Sequence, residues 1–149
     1  MRRVKQNRIG MVLALVGIVV ILAMKNTAGV AQKRLKTKEC GNQMIRLSFA
    51  SMMWMQQNES AEYPEGFVQM FDLLGTPKTL RCPSDKKRHR IYTWEEYEPN
   101  KVSYVVIGPG VSITNTNAVF VQCPIHGNVI RADGFVYDRE GKRLKRGVW

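Results

Sequence analysis

The chain has 149 residues and a formal net charge of +11 at pH 7. This length suffices for one small domain around one core and argues against a second. Four of the net positive charges lie in the first eight residues, and most of the others cluster at 33–38, 78–90 and 139–146. Such runs attract anionic polymers or lipid head groups. Aromatic residues do not alternate with the basic ones as in a nucleic-acid stacking platform.

The N-terminal segment has the pattern of a membrane anchor. Arg2, Arg3, Lys5 and Arg8 precede an uncharged apolar run at 9–24. Basic residues stay on the cytoplasmic side of a membrane. We therefore expect a cytoplasmic segment at 1–8, a transmembrane segment at 9–24 and a periplasmic head at 25–149. The expected location is a bacterial inner membrane, crossed once, with the lipid bilayer as a partner.

Cleavage of this leader is the alternative. A run at 9–24 spans roughly 24 Å of helix, somewhat less than a hydrocarbon core of about 30 Å. Gly29-Val30-Ala31 resembles the exit of a signal peptide, which would be cut after Ala31. A helical pattern at 32–58 favours retention, because it continues the apolar run without proline. Its apolar stripe is predicted at Leu35, Ile45, Phe49, Met52 and Met53, and Met44, Leu47 and Met55 widen it.

The remaining pattern predicts a short helix followed by strands. Apolar residues at helical spacing indicate a helix at 65–74, ended by Gly75. Alternation of period two then predicts strands at 91–94, 102–107, 119–122, 129–132, 135–137 and 142–144. The expected fold class is α+β, with a long N-terminal helix packed on a small antiparallel sheet.

The three cysteines admit two interpretations. An exported compartment favours disulfides, and a Cys82–Cys123 bridge is the preferred pairing because both residues stand in a Cys-Pro context. The alternative is a structural zinc site formed by Cys40, Cys82, Cys123 and His126. Its sequence signal is weaker, since the chain has no paired C-x-x-C, and no metal or other cofactor is therefore expected.

Enzymatic activity is not expected. The chain has neither a G-x-S-x-G nucleophile elbow nor a phosphate-binding P-loop. His126 and Asp133 can be imagined as a catalytic pair, but each is followed by glycine in a sequence typical of a turn.

Several segments together resemble the type IV pilin-like and type II secretion pseudopilin-like proteins of planctomycete and verrucomicrobial bacteria. The segments that carry the resemblance are 40–45, 54–58 with Tyr63-Pro64, 80–85, Ser103-Tyr104 with Gly108-Pro109, 123–128 and 132–136. The resemblance implies a pilin-like fold and a non-catalytic structural subunit of a secretion or pilus-type assembly. Its partners would be pilin-like subunits, contacted through the N-terminal helix.

The N-terminus departs from that family. Members begin with Gly-Phe-Thr-Leu-Ile-Glu, whereas Gly10 is followed here by Met11-Val12-Leu13-Ala14-Leu15. The missing glutamate argues against processing at Gly10 and for a minor subunit or a simple anchor. An alternative function is an exported basic module that binds an anionic polymer such as DNA. Its contact residues would be Lys86, Lys87, Arg88 and Arg90.

Overall fold

The chain divides into two compact units, Met1–Leu35 and Lys36–Trp149. The computed structural model describes residues 2–88 and 91–145, with side chains from Gly29 onward. Helix α1, Arg2–Gln57, belongs to the first unit as far as Leu35 and to the second from Lys36. The predicted transmembrane segment 9–24 lies outside the described side chains. In the part of the chain where side chains are described, no helix has the length and apolarity needed to cross a membrane.

The second unit is an α+β fold, as predicted. After α1, a 3-10 turn at Phe67–Met70 leads into the one-turn helix α2, Phe71–Leu74, which ends at Gly75 with φ +66°. Further 3-10 turns follow at Pro77–Leu80, Trp94–Glu96 and Pro99–Lys101. The strands are β1, Val105–Val106; β2, Val119–Gln122; β3, Val129–Arg131; and β4, Val136–Tyr137. They form an antiparallel sheet in the order β1-β2-β3-β4.

Three predicted strands differ from the structure. The strand at 91–94 is wrong: the Glu96 carboxylate accepts the Tyr92 backbone N–H at 2.8 Å, a local bond that competes with sheet pairing. The strand at 102–107 is shortened to β1, because the Ser103 N–H donates to the Leu80 carbonyl instead of to a strand. The strand at 142–144 is reduced to one bridge between Tyr137 and Arg143.

The buried face of α1 agrees with the predicted stripe only in part. Met44, Leu47 and Met55 are buried, as predicted, whereas Leu35, Phe49, Met52 and Met53 are exposed. The buried positions follow one another at three- and four-residue spacing: Cys40, Met44, Leu47, Ser51 and Met55. Cys40 and Ser51 thus occupy core-facing positions where larger apolar residues are usual. For this reason the hydrophobic pattern of the sequence did not indicate the whole of this face.

Helix and sheet share one core. Met44 and Leu47 of α1 belong to the same buried cluster as Phe120 of β2 and Ile130 of β3. The Ser48 hydroxyl donates to the Gly134 carbonyl at 2.8 Å, which joins α1 to the β3–β4 turn. This packing brings Cys40 of α1 to the end of β2.

Candidate metal centre

Three cysteines and a histidine converge at the junction of α1, β2 and the loop after Leu80. The ligand atoms of Cys40, Cys82, Cys123 and His126 all lie within 4.8 Å of one another. Every cysteine is buried, with at most 1% of its surface exposed. The four residues come from three segments that are far apart in sequence, so the cluster is a product of the tertiary fold.

Cys123 and His126 come from the loop between β2 and β3. Cys123 follows the last residue of β2, and its backbone N–H donates to the Asn128 carbonyl at 2.8 Å. The Gly127 N–H donates back to the Cys123 carbonyl at 2.8 Å, with Gly127 at φ +74°. This closed loop returns His126 towards Cys123, and the Cys123 Sγ to His126 Nδ1 distance is 3.9 Å.

Cys82 lies in a tight turn after the Pro77–Leu80 segment. The Asp85 N–H donates to the Cys82 carbonyl at 2.9 Å. Both Asp85 oxygens are themselves held, since Oδ1 accepts from the Lys87 N–H at 3.0 Å and Oδ2 from the Ser103 hydroxyl at 2.7 Å. The turn presents Cys82 Sγ to His126 Nδ1 at 3.2 Å.

Cys40 is supplied by α1 and is surrounded by donors. Its sulfur lies 3.5 Å from Cys123 Sγ, 3.6 Å from the Tyr104 hydroxyl and 3.7 Å from Asn128 Nδ2. Tyr104 and Asn128 are buried. Burial, and then the neighbouring Cys40 thiol, raise the pKa of Tyr104, which therefore stays a neutral donor. Polar donors around a sulfur favour its thiolate form.

The pKa values of the three cysteine thiols are shifted in different directions. Hydrogen bonds from Cys40 and then Cys82 lower the pKa of Cys123 far below that of a free thiol. The bond to Cys123 is the main cause that raises the pKa of Cys40 and of Cys82, and burial raises both further. A divalent cation would favour the deprotonated form of all three sulfurs.

These distances fit a tetrahedral metal. Zinc–sulfur bonds of about 2.3 Å place neighbouring ligand sulfurs about 3.8 Å apart in a tetrahedron. The Cys40–Cys123 separation of 3.5 Å and the 3.2 and 3.9 Å sulfur–Nδ1 distances lie close to that spacing. Three cysteines with one histidine form a known closed, structural zinc set.

The ring nitrogen of His126 that faces away from the sulfurs also has a hydrogen-bond partner. Its Nε2 lies 3.1 Å from the Ser84 hydroxyl. If Nδ1 binds a metal, Nε2 carries the proton and can donate it to the Ser84 hydroxyl. Ligating histidines commonly donate their second N–H in this manner.

The three cysteines are not bonded to one another in the structure. The expected Cys82–Cys123 disulfide stays a prediction, since the Sγ atoms of these two residues lie within 4.8 Å of each other, in one cluster with Cys40 and His126. A disulfide between any two of the three sulfurs would leave the third sulfur buried beside His126 without a bonded partner.

The residues predicted to contact an anionic polymer have separate roles. Arg88 is engaged internally: Nη1 lies 3.4 Å from the Asp85 carboxylate and Nε donates to the Asn100 carbonyl at 3.0 Å. Lys86 and Lys87 are exposed, and Arg90 lies outside the described residues. The three described residues of the predicted contact set therefore differ: Lys86 and Lys87 are exposed, and Arg88 is paired with Asp85.

His126 and Asp133 form no pair with each other among the hydrogen bonds of the described residues. Asp133 accepts from the Tyr137 hydroxyl and from the Phe135 N–H, whereas His126 contacts two sulfurs and Ser84.

The sequence interpretation named the four ligands but missed the residues that support them: Ser84, Tyr104 and Asn128. For Ser84 and Asn128 the signal was proximity in sequence, since Ser84 follows Cys82-Pro83 and Asn128 follows His126-Gly127, whereas Tyr104 is close to none of the ligands in sequence. In comparisons with known proteins, no protein family, no curated protein and no solved structure matches the chain.

Proposed function

We propose that this protein is a non-catalytic, membrane-anchored structural subunit whose second unit, Lys36–Trp149, is held together by one zinc ion. The observation that carries the proposal is the convergence of four ligand atoms within 4.8 Å. Zinc has no redox chemistry and binds four protein ligands in structural sites. Such a centre, buried and with all four positions filled by side chains, leaves none for a substrate.

The zinc ion would cross-link the elements of the second unit. Cys40 lies on α1, Cys82 in the turn before Asp85, and Cys123 and His126 in the β2–β3 loop. α2 and the sheet strands are short, so regular hydrogen bonding alone stabilises them weakly. Small domains commonly use a metal or disulfides to supplement such a core.

The membrane and assembly parts of the proposal rest on the sequence. The uncharged run at 9–24 behind four basic residues supports an inner-membrane anchor with a periplasmic C-terminal part. The pilin-like motifs support lateral assembly with pilin-like subunits through α1. In this arrangement zinc replaces the disulfide that would be expected in the periplasm, because bound thiolates are shielded from oxidation.

Metal content tests the proposal directly. The full-length chain, purified in neutral detergent without chelator, should contain one zinc per chain by elemental mass spectrometry. After denaturation without reductant in the presence of chelator, alkylation should count three free thiols. Removing zinc from the folded protein should lower the midpoint of thermal unfolding by more than about 10 °C, because a structural zinc ion contributes on the order of 10 kcal/mol to folding in small zinc domains.

Two variants make the test specific. Cys82→Ser should lose zinc, whereas Ser112→Ala, in an exposed loop region away from the four ligands, should retain it. If Cys82→Ser does not fold, chelation and zinc return on the unmodified chain give the same information. One disulfide per chain without zinc would overturn the proposed metal centre.

A further inference from the structure

A basic cleft lies beside the metal centre, with a volume of about 720 Å³. That is enough space for a ligand the size of a nucleotide. Its basic side chains come from three segments: α1, the Pro77–Leu80 region and the turn after Cys82. They are Lys36, Lys78, Arg81 and Lys86.

The positive charge in the cleft is poorly compensated by the residues that line it. Asp85 is 8% exposed, and its oxygens are committed to Ser103, Arg88 and the backbone. Glu39 is the remaining acidic residue of the described lining. Four cations therefore face one available carboxylate, which favours an anionic ligand.

Arg81 is held in place at the cleft wall. Its Nη2 donates to the Asp85 carbonyl at 2.7 Å, while Nε is buried and has no acceptor among the described residues. The Arg81 side chain is only partly exposed, and no ion pair with a described carboxylate involves it. An anion in the cleft would compensate its charge.

An exposed aromatic ring stands at the same cleft. Tyr92 is 52% exposed and Lys78 Nζ lies 4.6 Å from its ring centroid. The sequence showed no alternation of bases and aromatics, but the fold brings these two residues together. Cations beside an accessible aromatic ring are the combination with which proteins hold single-stranded nucleic acid.

We propose that this cleft binds single-stranded nucleic acid, with phosphates against Lys36, Lys78, Arg81 and Lys86 and a base stacked on Tyr92. A basic surface for lipid head groups or simple phosphate would need no aromatic ring. The ring therefore favours a nucleotide ligand. This proposal does not rest on the zinc proposal, because none of the residues proposed to contact nucleic acid is a candidate metal ligand. Zinc content is measured separately, so that failure of one proposal can be told from failure of the other.

The test measures fluorescence anisotropy of a labelled oligothymidine with the zinc-containing full-length chain in neutral detergent. The Lys78→Gln/Lys86→Gln variant should bind at least tenfold more weakly. Its salt dependence, the slope of log K against log salt concentration, should be shallower by about 1.4, for two lost phosphate contacts. Tyr92→Leu should weaken binding about tenfold, as for a lost stacking contact, and Tyr92→Phe should retain it.

A charge-matched control separates the cleft from general basicity. Lys142→Gln/Lys145→Gln removes two charges from the exposed C-terminal segment, which does not line the cleft. Equal weakening by both double variants would overturn the proposal. So would unchanged binding by Tyr92→Leu. Competition by inorganic phosphate, or by an anionic phospholipid in mixed micelles with the same detergent, that equals competition by unlabelled oligothymidine would also overturn it.

Discussion

At the residue scale, the centre depends on side chains that hold its ligands as well as on the ligands. His126 can turn about its side-chain bonds, and the Ser84 hydroxyl at 3.1 Å from Nε2 restricts it to the orientation facing the sulfurs. Tyr104 and Asn128 place hydrogen-bond donors 3.6 and 3.7 Å from the Cys40 sulfur, where they would stabilise the thiolate of a metal-bound Cys40. Such supporting groups adjust affinity without taking part in coordination.

Ser84→Ala should therefore weaken zinc binding while leaving the fold intact. The loss of one hydrogen bond to a ligating histidine reduces metal affinity about 10- to 100-fold. Competition with a chromogenic zinc chelator measures this change. Ser112→Ala is the control, since that hydroxyl bonds Thr114 in an exposed region. Equal affinities for the two variants would show that Ser84 does not orient His126.

At the element scale, the connection from β1 to β2 depends on a close approach of two backbone segments. The N–H groups of Ile107 and Gly108 both donate to the Phe120 carbonyl, at 2.8 and 3.3 Å. A Cβ atom on Gly108 would lie 2.7 Å from the Val119 carbonyl oxygen, a backbone atom that cannot swing aside. The glycine thus permits the pairing of β1 with β2.

Gly108→Ala should destabilise the second unit by about 2 kcal/mol, because the connection must shift and strain its hydrogen bonds. Gly66→Ala is the matched control: a Cβ there meets nothing within 4 Å, and neither glycine has a positive φ. Denaturant unfolding followed by circular dichroism measures both. A loss in Gly108→Ala no larger than that in Gly66→Ala would contradict this account of the connection.

The elements that the sequence predicted well are those whose pattern is local. Strands at 119–122, 129–132 and 135–137 were found to within one residue, because β-branched residues there alternate inside short segments. The buried face of α1 was predicted only in part: Met44, Leu47 and Met55 are buried, but Cys40 and Ser51 complete that face in place of the exposed Phe49 and Met52. Hydrophobic periodicity does not register such residues.

The candidate site could be predicted only as a set of residue types. Cys123 and His126 have ligand spacing, but Cys40 is 83 positions from Cys123. The residues that neighbour a cysteine in sequence do not determine whether a distant cysteine becomes its disulfide partner or a second ligand of the same metal. That choice depends on how α1 packs on the sheet, and hence on contacts such as Ser48 with Gly134.

At the scale of the whole molecule, the residues able to bind a metal or an anion are unevenly distributed along the chain. The uncharged run at 9–24 contains no cysteine, histidine or acidic residue, whereas the described metal ligands and the described basic cleft belong to Lys36–Trp149. The proposed anchor, followed by the proposed zinc-stabilised domain, would account for this division. A change within 9–24 should then alter location without altering zinc content.

Val16→Lys should therefore release the protein from the membrane fraction. A lysine at the centre of a transmembrane helix costs about 2.5–3.5 kcal/mol in insertion, a large penalty for an apolar run as short as this one. Leu35→Lys is the matched control, because it adds the same charge at a helical position that is 66% exposed and lies beyond the run. Carbonate-washed membranes, probed for the protein and its zinc, should retain the control and lose Val16→Lys. Full retention of Val16→Lys would remove the anchor from the proposed function and leave the metal centre untouched.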